Sequence, residues 1–393
     1  MKKCLVCLVS DQTIPNITVT LHFEPDFLLL ITTPAMERKG KARTILNTLR
    51  LRGLDYSNRH AQVEVQEDSL LGFEASVSRW IDEAAEEYAF TVNLTGGTKL
   101  MSIAAYDLFS SFGSEMVYVP IPRNEFLTPF PKRRPRTPTP LGARLSVIEY
   151  LTAYGFTVTN ETRLEGYRRR AESREATTRF VFQNYEALLP LLQWLGSELR
   201  PLKPKQVQKG HDFTGTFQIL ADVQAEFLGK FNFELDGDQI RKRIDKVEWD
   251  YLRGGWLEDR LFLAVRAALS TGTDVELNVE CKDPKGNQNE FDVLFTADNA
   301  LYLVECKSLG ASEGGGDKIG IPEFLYKLGA LRQSFGLTPK AYLATTADSI
   351  LDKNRQVKPH LTERAGQFST KIVPLLAVKD IEGFFRDEFN PRR

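Results

Sequence analysis

Over the first 120 positions, short solid apolar runs alternate with stretches of helical period. CLVCLVS (4–10), FLLLITT (27–33) and FTVNLT (90–95) are nearly continuous in apolar character, the pattern of strands covered on both faces. AQVEVQE (61–67) alternates like a strand, and EMVYVPI (115–121) closes the series. Between them, RTILNTLRLRG (43–53), EASVSRWIDEAAEEY (74–88) and GTKLMSIAAYDLFSSFG (97–113) repeat their apolar residues at helical spacing. Strand–helix alternation implies right-handed crossovers and a mainly parallel sheet. The expectation is an α/β chain that opens with a Rossmann-like domain over residues 1–127.

TPFPKRRPRTPTP (128–140) holds five prolines and four basic residues, which excludes a helix or a central strand. A domain boundary with a linker over 128–141 is therefore expected. Beyond it, ARLSVIEYLTAYG (143–155) reads as a helix ended by Gly155. Residues 142–247 form an intervening region with a helix around Tyr185–Trp194. Its phenylalanine-rich segments FTGTFQI and AEFLGKFNFEL read as strands. From 248 to 393 the pattern is compact: helix 255–270, strands 274–281, 290–296 and 300–306, then helix 322–335.

Composition narrows this only a little. No apolar run reaches eighteen residues, so a membrane span is not expected. The lysines and CLVCLV at the N-terminus imitate a signal peptide, but the apolar stretch is too short and reads better as a first strand. The four cysteines lie scattered and form no zinc pattern, which fits a reducing cytoplasm. A formal net charge of −1 supplies no general attraction to nucleic acid, so a polyanion would need local patches. Candidates are PKRRPR (131–136), Arg168–Arg169–Arg170 and Arg241–Lys242–Arg243, although such runs more often form a solvated loop or helix face than a binding surface.

Three C-terminal segments carry candidate chemistry. GGWLEDRLFLAVRAAL places Glu258 near the start of an amphipathic helix, NQNEFDVLFTADN places Asp292 in a strand, and LYLVECKS ends an apolar strand with Glu305 and Lys307. Residues two apart on a strand share a face, so Glu305 and Lys307 project together while Cys306 turns away. A tight turn at 296–299 can bring Asp292 beside Glu305. Clustered carboxylates repel, and a divalent cation removes that cost by using their oxygens as ligands. Hard oxygen donors favour Mg²⁺ or Mn²⁺ over zinc, with Glu258, Asp292, Glu305 and the Cys306 carbonyl as ligands. Each part alone also fits a solvated ion pair or a turn cap. In combination, the order Glu258 … Asp292 … Glu305-x-Lys307 resembles the PD-(D/E)xK restriction-endonuclease superfamily over about residues 248–345. Phe291 stands where the nominal motif has proline. The resemblance implies a metal-dependent phosphodiesterase acting on DNA or RNA. It also implies a following helix, FLYKLGALRQSFG, whose Lys327 and Arg332 would meet substrate phosphates.

A second segment, VNLTGGTKLM (92–101), runs strand, Gly-Gly turn, helix. Main-chain N–H groups at such a turn favour a phosphate, and Thr95, Thr98 and Lys99 add hydroxyls and a charge. In an open α/β sheet, ligands sit beyond the carboxyl ends of the strands, where Ser10, Asp11, Gln12 and Thr33 also fall. A tight turn with no ligand is the other reading. The residues Asn93, Thr95, Gly96, Gly97, Thr98, Lys99 and Met101 resemble the NxTGGTKxM signature of CARF domains, the CRISPR-associated Rossmann-fold sensors. That resemblance implies a homodimer binding cyclic oligoadenylate across its two-fold axis. A CARF domain before a PD-(D/E)xK domain is similar to the effector nucleases of type III CRISPR antiviral defence, gated mainly by cyclic tetra-adenylate. A sensor that binds nucleic acid without cutting, or a nuclease without a second messenger, would share many of these features.

Overall fold

The computed structural model describes residues 1–84, 87–130, 137–269, 273–308 and 320–389. The PKRRPR run lies outside them. The N-terminal strands are β1 (Lys2–Leu8), β2 (Phe27–Thr32), β3 (His60–Glu64), β4 (Tyr88–Asn93), β5 (Glu115–Tyr118), β6 (Glu125–Phe130) and β7 (Thr139–Pro140). They form one sheet in the order β3-β2-β1-β4-β5-β6-β7. The first five are parallel, and the last two turn antiparallel. β1 and β2 are buried along most of their length because helices cover both faces. The proline-rich stretch thus begins in β6, where Pro129 lies beyond the part paired with β7, and ends in the two-residue edge strand β7, so its missing N–H groups are tolerated.

The second half is built on β8 (Thr157–Val158) and on β9 (His211–Thr216), β10 (Glu234–Asp236) and β11 (Gln239–Ile244). It continues with β12 (Asp274–Lys282), β13 (Gln288–Ala297), β14 (Ala300–Lys307), β15 (Lys340–Thr345) and β16 (Thr370–Val373). Six of these make the sheet β16-β15-β14-β13-β12-β8, and the other three make a small sheet β10-β11-β9. β8, from the intervening region, pairs with β12 at the edge of the larger sheet. The intervening region also supplies the helices Glu161–Ser173, Glu175–Gln183 and Tyr185–Leu199. These pack with the helix Trp256–Ala268 around Trp256, Phe262 and Leu261.

Two expectations change. AEFLGKFNFEL is not a strand along its length: Asp222–Lys230 is a helix, and only Glu234–Asp236 is extended. Phe227, Leu228 and Phe231 are buried together at helical spacing, so the period is that of a helix. The helix expected from 143 begins at Val147. There the Ser146 hydroxyl accepts the Glu149 N–H and the Glu149 carboxylate accepts the Ser146 N–H, a capping box that fixes the start. The helix Ile14–Phe23 carried no legible signal.

The two halves share a core. One buried cluster runs from Leu5, Leu28 and Ile45 through Tyr150, Tyr154 and Phe156 to Phe291, Phe335 and Leu343. Polar contacts pin the junction. The Asn299 side chain accepts the Leu145 N–H at 2.8 Å and donates to the Asn124 side chain and the Ala143 carbonyl. Asp274 accepts the Val147 N–H at 2.7 Å. Phe335 packs on Phe156 with ring centroids 4.5 Å apart and also meets Tyr154 and Phe291. Phe335→Ala is expected to cost about 3–5 kcal/mol and to lower the urea midpoint of the whole chain. An unchanged midpoint would show that the junction carries no stability.

Candidate functional site

β13 and β14 pair in register from Ala297↔Ala300 to Val293↔Val304. The next pair would be Asp292 and Glu305, but the ladder stops there. The Asp292 carboxylate, not its carbonyl, receives the Cys306 N–H at 2.6 Å. Lys307 reaches back along its own strand face and places its ammonium 2.7 Å from Glu305 and 3.9 Å from Asp292. The Lys327 ammonium, on the helix Ile321–Gln333, stands 3.8 Å from Glu305. Lys307 also lies over the Phe324 ring at 4.7 Å. Asp292, Glu305, Lys307 and Lys327 are therefore together.

Glu258 approaches from the helix Trp256–Ala268. A turn at Tyr251–Gly255 aims that helix: Gly254 has φ 136, and a Cβ there would run into the Ser308 hydroxyl. Only glycine permits both the conformation and the close approach. Burial, then the charge of Asp292, pushes the Glu258 carboxyl up to about 8, against Lys307 and an Asn278 hydrogen bond. Burial, then the charge of Glu305, raises Asp292 to about 6. For Lys307, burial works against the charge, but Asp292 and Glu305 overcome it and hold its affinity for the proton above the ordinary value. Burial first, then Asp292 and Glu258, keep the Cys306 thiol protonated. The carboxyl oxygens and a strand-end carbonyl are donors that fit a hard divalent cation. Among the described residues, however, no three His, Cys, Asp or Glu side chains stand at metal-ligand spacing. The lysine ammonium takes the place between Asp292 and Glu305 instead.

Arg332 is not part of this group: its guanidinium bonds the Pro339 carbonyl at 3.3 Å. It closes the turn after its helix and does not face the carboxyls. The run 241–243 is also committed elsewhere, with Arg241 near Asp236, Lys242 on Glu248 and Arg243 on Asp212.

At the N-terminal turn, most of the motif builds the turn itself. Asn93 is fully buried and bonds Asn16, while its oxygen holds the Thr95 N–H and hydroxyl. Thr95 in turn accepts the Val119 N–H. A Cβ on Gly96 would overlap the Leu8 carbonyl, so that strand and turn could not meet. Met101 is buried in the core beneath Gly97 and, contrary to expectation, cannot reach a ligand. Thr33 is buried and caps the helix Pro34–Arg38. Thr98 caps the helix Lys99–Ser110 and bonds the Glu67 carbonyl. Lys99 and Asp11 are exposed. Sequence reading missed Lys39 and Lys41, which pair with Asp11 at 2.7 and 3.8 Å. They lie past a strand end without motif spacing. The Gln12 side chain turns toward the second half, where its oxygen accepts the Leu337 N–H at 3.2 Å.

Residues 4–150 match the family described as Card1 CARF domain. Residues 245–366 match the family described as Card1-like, endonuclease domain. The chain joins a Card1-type CARF domain to a Card1-like endonuclease domain. No curated protein matches it. Among solved structures, VC1899 from Vibrio cholerae is similar with 18% identity and a TM-score of 0.75, over 99% of this chain and 98% of that one. Can2 from Sulfobacillus thermosulfidooxidans, in complex with cyclic tetra-adenylate, is similar with 19% identity and a TM-score of 0.70, over 98% of each chain. A type III CRISPR defence DNA nuclease activated by cyclic oligoadenylate is similar at 18% identity and a TM-score of 0.51, over 88% of this chain and 45% of that one. At these identities the likeness is one of fold. In it, the Card1-like endonuclease domain holds the carboxyl group and the CARF domain holds the TGGT turn. Among the described residues no helix is long and apolar enough to cross a membrane.

The fold favours protonated Glu258, so the protein in chelator loses stability as pH rises from the ordinary 4.5 to about 8. Glu258→Gln removes that loss. It is expected to unfold a few degrees above the parent chain at pH 8, with the gap closing at pH 5. An equal gap at both pH values in thermal melts would refute the burial of this charge.

Proposed function

We propose that the chain is a divalent-metal nuclease of type III CRISPR defence, switched on by cyclic tetra-adenylate bound between the CARF domains of a homodimer. The grouping of Asp292, Glu305 and Lys307, with the Asp292 charge acting on buried Glu258, carries this reading. Mg²⁺ or Mn²⁺, held by Glu258, Asp292, Glu305 and the Cys306 carbonyl, would supply Lewis acidity to the phosphodiester and acidify a water. Lys307 then lies where it can orient that water and offset the charge that grows on phosphorus-bound oxygen. Lys327, half exposed, is placed to meet a neighbouring phosphate.

For the activator, the Gly96–Gly97 main chain, Thr98, Lys99 and Ser10 are the groups available at the strand ends, with Lys39 and Lys41 as added charge. Leu100, Ile103 and Tyr106 leave an apolar stripe exposed on the helix Lys99–Ser110, and Leu71 lies 79% exposed on the adjoining helix. A soluble chain rarely leaves such a stripe bare, which supports a second copy covering it. A two-fold axis there would present equivalent half-sites to a ring of even symmetry. Gln12 offers a route for gating. It shares the 10–12 loop with the activator groups and bonds the turn that follows the Lys327 helix.

The deciding assay incubates the protein with Mn²⁺, labelled DNA and labelled RNA, with and without cyclic tetra-adenylate. Activator-dependent cutting is expected, and Asp292→Ala or Glu305→Ala should reduce it at least a thousandfold while calorimetry shows unchanged activator affinity. Cutting at the parent rate by either variant would overturn the site. Lys99→Ala should weaken activator binding about tenfold; unchanged affinity would remove Lys99 from the pocket. Gln12→Ala should retain activator affinity but lose most of the rate stimulation, and equal stimulation would exclude this route.

A further inference from the structure

Beside Glu258, Cys306 and Ser308 opens a cleft of about 700 Å³. Its far wall comes from the intervening region, where the sequence offered only basic runs such as 168–170 as candidate patches: Arg163, Tyr167 and Arg170 on the helix Glu161–Ser173, and Lys205 after it. Arg253, on the turn that aims the Glu258 helix, closes the near side.

The charges in this cleft are not arranged at random. Of the triplet 168–170, Arg168 is tied to buried Glu276 and Arg169 to Glu165. Arg170, the member that lines the cleft, has no carboxylate within ion-pair distance among the described residues, and its guanidinium rests on the Tyr167 ring at 4.9 Å. Lys205 is unpaired in the same sense. Arg253 lies over Trp249 at 4.0 Å, with Asp250 acting on its charge only from beyond ion-pair distance. The acidic groups of the cleft are mostly spent: Asp250 is paired with Lys246, and Glu280 with Arg163 at 3.0 Å. Glu290 stands exposed at the rim. Three unpaired cations and an aromatic face leading to a carboxyl cluster are the equipment for a phosphate backbone. The size falls in the roughly 300–1,000 Å³ range of small-molecule sites, suited to nucleotides of one strand and not to the body of a double helix.

We infer that Arg170, Lys205 and Arg253 hold the phosphates of the strand being cut on the Glu258 side of the scissile bond, with Tyr167 against a base or sugar. These are positioning residues, and the assignment rests on the nuclease reading above. Such contacts are uniform in ground and transition states, so losing them raises KM and leaves kcat nearly intact.

The test compares the parent chain with Arg170→Ala/Lys205→Ala and with Arg169→Ala as control, all saturated with cyclic tetra-adenylate and Mn²⁺. The double variant should show KM raised about tenfold, kcat within about twofold, and an unchanged melting temperature. Binding of a labelled oligonucleotide to each protein carrying Glu305→Gln should lose about 0.7 in its log–log salt slope per phosphate contact removed, roughly 1.4 in all. The control should match the parent in each respect. An unchanged KM and salt slope, or a loss confined to kcat, would overturn the inference while leaving the nuclease reading standing. Absence of any cutting by the parent chain would instead sink that reading, and the salt slope would still decide whether the cleft holds a strand.

Discussion

Three carboxyls and an ammonium stand at the end of an otherwise apolar sheet, and the balance among them governs the second half of the molecule. Ionising several acids in so little water is costly, and the fold meets the cost in stages. Cys306 gives Asp292 a main-chain hydrogen bond, Lys307 gives Glu305 and Asp292 a shared cation, and Glu258 is left to hold its proton. The arrangement is neutralised from within, but by a movable side chain. Were a divalent ion held there as proposed, Asp292, Glu305 and Glu258 would be its carboxyl ligands, and Lys307 would be free to meet a substrate phosphate. The β13–β14 ladder stops one pair short of this group, which leaves the Cys306 N–H to the Asp292 carboxylate.

That centre is not carried on a loosely tethered domain. The cluster through Tyr150, Tyr154, Phe156 and Phe335 belongs to both halves at once, and Asn299 and Asp274 fasten the segment after the proline-rich stretch onto the larger sheet. A signal of the kind proposed, raised at the strand ends of the first sheet, would therefore meet a packed junction and not a slack linker. Packed junctions respond by shifting between discrete arrangements. The Gln12 bond to the turn beyond Phe335 is a polar contact at the edge of that junction, and breaking or remaking it costs far less than repacking the aromatic cluster.

How much of this the sequence discloses depends on whether the information is local. The parallel strands were legible because burial on both faces leaves solid apolar runs, and β14 was legible because Glu305 and Lys307 share a face by simple alternation. The approach of Asp292 followed from a short turn. Illegible were the features that only tertiary packing creates. Phe227, Leu228 and Phe231 lie in a phenylalanine-rich stretch that reads as strand, and only their shared cluster reveals a helix. Arg332 looked available on its helix, yet the chain reverses after it and claims its guanidinium for a carbonyl. Lys39 and Lys41 have no motif spacing and acquire meaning only from their distance to Asp11.

The TGGT turn shows a further limit of reading function from a motif. Its most characteristic members do structural work: Asn93 and Thr95 spend their hydrogen bonds locking the strand end, Gly96 makes room for the Leu8 carbonyl, and Met101 fills the core below. What they secure is a rigid run of main-chain N–H groups at the head of the helix Lys99–Ser110. A ligand recognised through main chain is recognised by shape and charge, which suits the repeating phosphates of a ring and gives few side-chain contacts to distinguish bases. In the proposed dimer with a cyclic activator, discrimination among rings would have to come from elsewhere, from the exposed groups around Asp11, Lys39 and Lys41 or from the spacing between two such turns across the two-fold axis. The second is the stronger constraint, because a fixed distance between rigid turns excludes rings of the wrong size without requiring any residue to read a base.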